Sequence, residues 1–201
     1  ANYISHRAAV QDDGTVYVND SSGILWALDP DGALLWSYDG GGSGSQGPTV
    51  IGDDGTIYFA TSSTSAIHAL NPDGTLKWTF EDPDTQGLIG GPGVGPDGNV
   101  YAVFDLPSAL GVVALSPDGA LLWSELGSPP VHEYGQVGRE LVFGPDQVYW
   151  TSERDDSLYG FDLATGNQNF RATLSSPGQA AGGRYKKNEV IYVATGISPR
   201  L

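Results

Sequence analysis

Ala27-Leu28-Asp29-Pro30-Asp31-Gly32-Ala33-Leu34-Leu35-Trp36 returns as Ala69-Leu70-Asn71-Pro72-Asp73-Gly74-Thr75-Leu76-Lys77-Trp78, and again as Ala114-Leu115-Ser116-Pro117-Asp118-Gly119-Ala120-Leu121-Leu122-Trp123. Pro at the second and Gly at the fourth position of x-Pro-Asp-Gly suit a type I turn followed by a left-handed glycine, which closes a tight hairpin. Apolar residues on both sides of each turn supply the two strands. Each copy is therefore read as a β-hairpin ending on a tryptophan.

A second turn runs in phase with the first. It reads QDDGTVYV from Gln11, GDDGTIYF from Gly52 and GPDGNVYA from Gly95, with diverged forms GPDQVYWT from Gly144 and KNEVIYVA from Lys187. The tyrosines of these runs, Tyr17, Tyr58, Tyr101, Tyr149 and Tyr192, are 41, 43, 48 and 43 residues apart. Trp36, Trp78, Trp123 and Phe170 are 42, 45 and 47 apart. Two independent markers with one period indicate a repeat architecture. Each unit holds about four antiparallel strands, the content of one propeller blade. Such a meander cannot bury both faces alone, so units must stack, and the repeated Trp is placed to fill the gap between neighbours. The predicted class is all-β, a β-propeller with units at 1–41, 42–86, 87–130 and 131–176 and an incomplete fifth at 177–201. That incompleteness, with the absence of Met and the start at Ala1, predicts a processed or excised piece of a larger propeller of seven or eight blades.

Composition agrees with a β fold. The 29 Gly and 13 Pro punctuate short runs of β-branched and aromatic residues. The formal charge of −15 disfavours nucleic acid and an anionic membrane surface as partners. The excess is uneven: residues 1–138 carry 17 acids against Arg7 and Lys77, whereas 139–201 carry seven of each sign. Most of the Asp is explained by turns, where its side chain supports the backbone. Without Cys there is no disulfide and no thiolate chemistry. No run is apolar enough to insert in a membrane as a helix.

The units resemble the PQQ-like, or quinoprotein-type, β-propeller repeat, whose docking motif reads roughly Ala-x-Asp-x-x-Thr-Gly-x-x-x-Trp. Asp162-Leu163-Ala164-Thr165-Gly166 comes nearest in spacing, with Phe170 in place of Trp; the other units use the shorter Pro-Asp-Gly form with Trp36, Trp78 and Trp123 at the docking position. The resemblance spans essentially the whole chain. Similarity to the propeller lipoprotein of the outer-membrane β-barrel assembly machinery and to sensor ectodomains implies a non-catalytic, extracytoplasmic scaffold. Its partner would be a protein or a further copy of the chain, with carbohydrate as another candidate.

Against that stands an enzyme reading. Quinoprotein dehydrogenases that resemble this repeat use a quinone and Ca²⁺, held by an Asp, a Glu and an Asn and accompanied by a vicinal Cys pair; no such set falls on matching positions here, so no cofactor is expected. Asp12 and Asp13, or Asp29 and Asp31, offer oxygens to calcium, but the turns are too tight to supply six or more. His68 occupies a strand position where other units carry Trp26, Val112 or Tyr159, which predicts packing. His6 and the cluster His132, Glu133, Tyr134 and Gln136 fall at or before first strands, which in a propeller line the channel, and are the candidate ligand-facing residues. Arg184-Tyr185-Lys186-Lys187 is the one basic cluster, and Asn19-Asp20-Ser21 is a glycosylation sequon on a predicted loop.

Overall fold

The computed structural model describes residues 4, 7–42, 44, 47–82, 85, 87–106, 109–128, 141–152 and 157–173. Among them every regular element is a strand, and the strands form four antiparallel sheets. The first sheet holds β1 (Ala9–Val10), β2 (Val16–Asn19), β3 (Ile24–Leu28) and β4 (Leu34–Asp39). The second holds β5 (Val50–Ile51), β6 (Ile57–Thr61), β7 (Ala66–Leu70) and β8 (Leu76–Glu81). The third is β9 (Gly87–Val94), β10 (Val100–Leu106), β11 (Ala109–Leu115) and β12 (Leu121–Ser128). The fourth is β13 (Val142–Phe143), β14 (Gln147–Ser152), β15 (Ser157–Asp162) and β16 (Gln168–Thr173). Each is an uncrossed meander with neighbours in sequence order, the blade of a β-propeller.

The turns explain why these strands pair in this register. In the first sheet Gly32 sits at φ +86° and its N–H donates to the Asp29 carbonyl at 2.9 Å, while Asp29 Oδ1 accepts from the N–H groups of Asp31 and Ala33 at 3.0 and 2.7 Å. An L side chain at that φ would crowd the backbone, so glycine is required. Immediately before the turn, the pairing of β3 with β4 shifts by one residue between Ala27 and Leu28; the same shift follows Ala69, Ala114 and Gly160. It is a bulge on the outer strand, common to the three-residue loops and to the longer loop between Asp162 and Asn167 of the fourth sheet.

The core lies between sheets rather than within any one of them. Tyr17, Leu25 and Ala27 meet Ile57, Phe59 and Leu70 across the first gap. Tyr58, Ala60, Ile67 and Ala69 meet Val100, Ala102, Phe104, Val113 and Leu115 across the second. Tyr101, Val103, Val112 and Ala114 meet Val148, Trp150, Tyr159 and Phe161 across the third. Because strand side chains alternate, odd and even positions of one strand serve two different cores. That is why β6 and β7 are buried at every position whereas β2 and β3 are fully buried only at alternate ones.

Phe104 is fully buried in the second gap and Leu122 lies half-exposed on an outer strand. Phe104→Ala should cost about 3 to 5 kcal/mol, and Leu122→Ala less than about 1 kcal/mol, as read by urea denaturation of each variant against the parent.

Candidate functional site

Three aromatic rings join neighbouring sheets in one repeated geometry. In each sheet the ring stands over that sheet's own tyrosine: Tyr17–Trp36, Tyr58–Trp78 and Tyr101–Trp123 all have centroids 5.7 Å apart. The ring then reaches forward. The Trp36 indole N–H donates to the Pro72 carbonyl at 3.0 Å, Trp78 to Pro117 at 2.8 Å, and Trp123 to Leu163 at 2.9 Å. The far face of each ring lies on a turn glycine, at Gly74, Gly119 and Gly166. A Cβ built on any of the three would stand 2.7 Å from an indole carbon. All three have positive φ, between +75° and +86°. Each seat therefore excludes a side chain twice, by backbone conformation and by contact.

The fourth ring differs. Phe170 meets Tyr149 edge-on at 6.0 Å and remains 39% exposed. Its strand partner is Gly160, where the other sheets have alanine; a Cβ there would stand 2.9 Å from both Phe170 Cβ and Tyr149 Cε1. The glycine is explained by this crowding. The shorter turns and the Asp162 turn provide equivalent seats: Leu163, in the longer loop, supplies the carbonyl that Pro72 and Pro117 supply elsewhere.

His68 is buried between the first two sheets. Its Nε2 pairs with Thr61 Oγ1 at 3.0 Å and its Nδ1 with Thr79 Oγ1 at 3.3 Å, and Thr61 is joined in turn to Thr64 at 2.6 Å. The imidazole stacks on Phe59, centroids 4.8 Å apart, with Tyr38 at 5.9 Å. Burial disfavours the imidazolium and lowers its pKa to about 4. A neutral imidazole with one donor and one acceptor nitrogen is satisfied by two hydroxyls that can each do either. The register corrects one correspondence: Phe59↔His68 matches Val18↔Trp26, Ala102↔Val113 and Trp150↔Tyr159, so the equivalent residue in the third sheet is Val113 and not Val112. His68 and Val113 each precede the alanine, Ala69 or Ala114, that pairs with the docking tryptophan.

Asn19 is also placed differently from its sequence reading. It ends β2 rather than lying on a loop, is 1% exposed, and directs Nδ2 toward the Gly47 carbonyl at 3.4 Å. A buried amide cannot receive a glycan without unfolding the strand. Its neighbour Asp20 is buried as well, accepting from the backbone of Ser22 and Ile24 and from the Trp26 indole at 3.2 Å. In the turns, Asp13 and Asp29 point oxygens at backbone N–H groups. Among the described residues no three His, Asp or Glu side chains are grouped so as to hold a metal ion. Tyr101 is held well above its ordinary pKa, first by burial and then by its hydrogen bond to Asp97 at 2.7 Å. His6, His132, Glu133, Tyr134, Gln136 and the cluster from Arg184 to Lys187 lie outside the described residues.

The profile of the family described as outer membrane protein assembly factor BamB, a PQQ-like repeat family, matches residues 2–196. The chain belongs to this family. Among solved structures it is similar to BamB from Moraxella catarrhalis, with a TM-score of 0.68 and 22% identity over 88% of this chain and 55% of that one. It is similar also to a catalytically inactive virginiamycin B lyase from Staphylococcus aureus with quinupristin (TM-score 0.66, 17% identity, 88% and 57% covered) and to a streptogramin B lyase (0.62, 16%, 87% and 60%). These identities establish the propeller fold and no more. The chain spans 55 to 60% of the length of these structures. No curated protein sequence matches it.

Two expected outcomes follow from the seats and from His68. Gly119→Ala should destabilise by at least 2 kcal/mol more than Gly32→Ala; both meet the left-handed strain of about 1 to 2 kcal/mol, but only at Gly119 does the new methyl meet a ring, whereas Gly32 has open space. Paired thermal melts decide it. His68 has a folded pKa near 4, below its unfolded value near 6.5, so the unfolded chain binds more protons between them. Its contribution is complete above about pH 6.5, is lost as pH falls toward about 4, and amounts to about 3 kcal/mol at full extent. His68→Val should flatten that acid limb in a series of urea titrations from pH 7 to 4.

Proposed function

We propose that this chain is a non-catalytic β-propeller scaffold that binds protein partners outside the cytoplasm. The observation that carries the reading is the match to the assembly-factor family from residue 2 to 196. The outer strands supply a surface suited to the role. Leu34 and Leu35, Leu76, and Leu121 and Leu122 recur just after the second turn and are each about half exposed. Apolar residues repeated at one register position along the rim are a feature of contact surfaces. The outer strands β4, β8, β12 and β16 each terminate their sheet, so among the described residues each has a free edge open to strand addition. At the matching position of the second sheet, Lys77 instead holds Asp54 at 3.2 Å. Trp36, Trp78 and Trp123 belong, in this reading, to blade docking rather than to ligand binding.

The alternative is an enzyme, either a quinone-dependent dehydrogenase or a lyase like the similar structures. The polar groups described so far favour the scaffold: His68 is buried and neutral, and the turn aspartates are committed to backbone donors. Incubation with PQQ and Ca²⁺ should give neither a bound-quinone absorbance nor dye-linked alcohol oxidation, and quinupristin should survive incubation unchanged by chromatography. Turnover in either assay would overturn the scaffold reading. A positive test is expression in the periplasm of a strain lacking BamB, where partial recovery of outer-membrane protein levels is expected and should be lost on Leu121→Asp with Leu122→Asp.

A further inference from the structure

We propose that the outer margin of the gap between the second and third sheets is a docking groove for an extended protein segment whose apolar side chains are flanked by lysine or arginine. This rests on the scaffold reading above and names the chemistry of its partner. Register fixes what lines the groove. Trp78 and Phe80 of β8 pair with Ala69 and Ile67, which lie in the second core, so both rings face the third sheet. From the other side, Ser124 of β12 pairs with Val113 of that core, and the bulge puts Leu121 and Leu122 together opposite Leu115. Leu126, two residues beyond Ser124, shares its face by strand alternation. The two backbones come together at the inner strands, where β9 lies beside β5, β6 and β7. Sheets arranged radially diverge toward the rim, so the outer margin is left to side chains. Phe80 packs edge-on to the buried Phe104, centroids 6.1 Å apart, while Leu122 and Leu126 on the facing strand remain 49% and 52% exposed.

The other two gaps are lined differently at the same positions. The first sets Lys77, Thr79 and Glu81 against Trp36 and Tyr38, and the third sets Asn169 and Arg171 against Trp123 and Glu125. Among the described residues the apolar margin is therefore particular to the second gap, and the repeat does not require it. The occupant's charge follows from the acids around it. Asp73 and Asp118 are exposed in the turns at one end of the groove, and Glu81 and Glu125 are exposed on its two flanking strands. Between residues 42 and 128 the one Lys or Arg is Lys77, which holds Asp54 at 3.2 Å on the side of the first gap. An apolar segment with cationic ends covers the leucines and meets these carboxylates, whereas an acidic one is repelled. Sheets packed face to face stand about 10 Å apart, too close to admit a helix of about 10 to 12 Å, so the side chains enter from an extended chain.

Fluorescence anisotropy with a set of short labelled peptides tests this, with a core of alternating Leu and Thr or of Ser and Gly, each flanked by paired Lys or paired Glu. The Lys-flanked apolar peptide should bind at least about tenfold more tightly than any other, and its binding should weaken as NaCl rises from about 50 to about 500 mM. Leu122→Ser with Leu126→Ser should lower that affinity at least about tenfold, whereas Leu35→Ser, at the place on the first sheet that matches Leu122, should leave it unchanged. Glu81→Lys with Glu125→Lys should transfer binding to the Glu-flanked apolar peptide. The substituted side chains are exposed, and circular dichroism checks that the sheets persist. Because the chain has no cysteine, a benzophenone attached at Ser124→Cys should cross-link the Lys-flanked apolar peptide and one at Ser37→Cys should not, a readout independent of affinity. Absence of binding by every peptide, equal binding of both Lys-flanked peptides, or equal losses in the Leu35 variant and the Leu122 with Leu126 variant would each overturn the groove. The scaffold reading survives such a result if outer-membrane protein levels still recover in the strain lacking BamB; turnover of an enzyme substrate removes that reading whatever the peptides do.

Discussion

One contact organises this molecule: an indole lying flat on a glycine that has no Cβ and a backbone angle few other residues accept. The seat could be made by no other residue, because a methyl group there would both strain the turn and enter the ring. The donor on the far side of the indole finds a carbonyl two or three residues before that glycine, so each joint is fixed in position as well as in distance. Everything between the sheets follows from this spacing. The alternating residues of β6, β7, β10 and β11 fill the three gaps that the rings bridge, with Ala60, Ala69, Ala102 and Ala114 beside Tyr, Phe and Val.

Much of this fold was legible because its signals are local. A turn glycine, a proline, an alternating strand and a closing tryptophan lie within ten residues of one another, and their recurrence exposed the repeat. What was not legible is what depends on neighbours distant in sequence. Asn19 read as a loop residue because Asn-Asp-Ser is turn-like, yet the strand runs to it and its amide meets the Gly47 carbonyl. The hydroxyls that satisfy His68 come from three places in the second sheet, Thr61 and Thr79 directly and Thr64 through Thr61. The seats themselves were in view as turn glycines, but only the ring arriving from another sheet shows that they are also sockets.

Function is harder to read for the same physical reason. The residues that recur are those that hold sheets together, and a repeat advertises its joints far more loudly than its surface. Half-exposed leucines at one position of three outer strands are the part of the recurring pattern that the joints do not use. Propellers of similar shape include an assembly factor and lyases, so the common scaffold leaves chemistry and partners to the parts that vary.

Each joint also has a direction in time. A tryptophan is made before the turn that will receive it, since Trp36, Trp78 and Trp123 precede their acceptor carbonyls by 36, 39 and 40 residues. At ribosomal rates of about 5 to 20 residues per second, each ring waits about 2 to 8 s for its socket. Every nascent sheet therefore passes through an interval with one aromatic ring uncovered on its forward face. The chain emerges as a succession of briefly unfinished surfaces, each protected only by the arrival of the next.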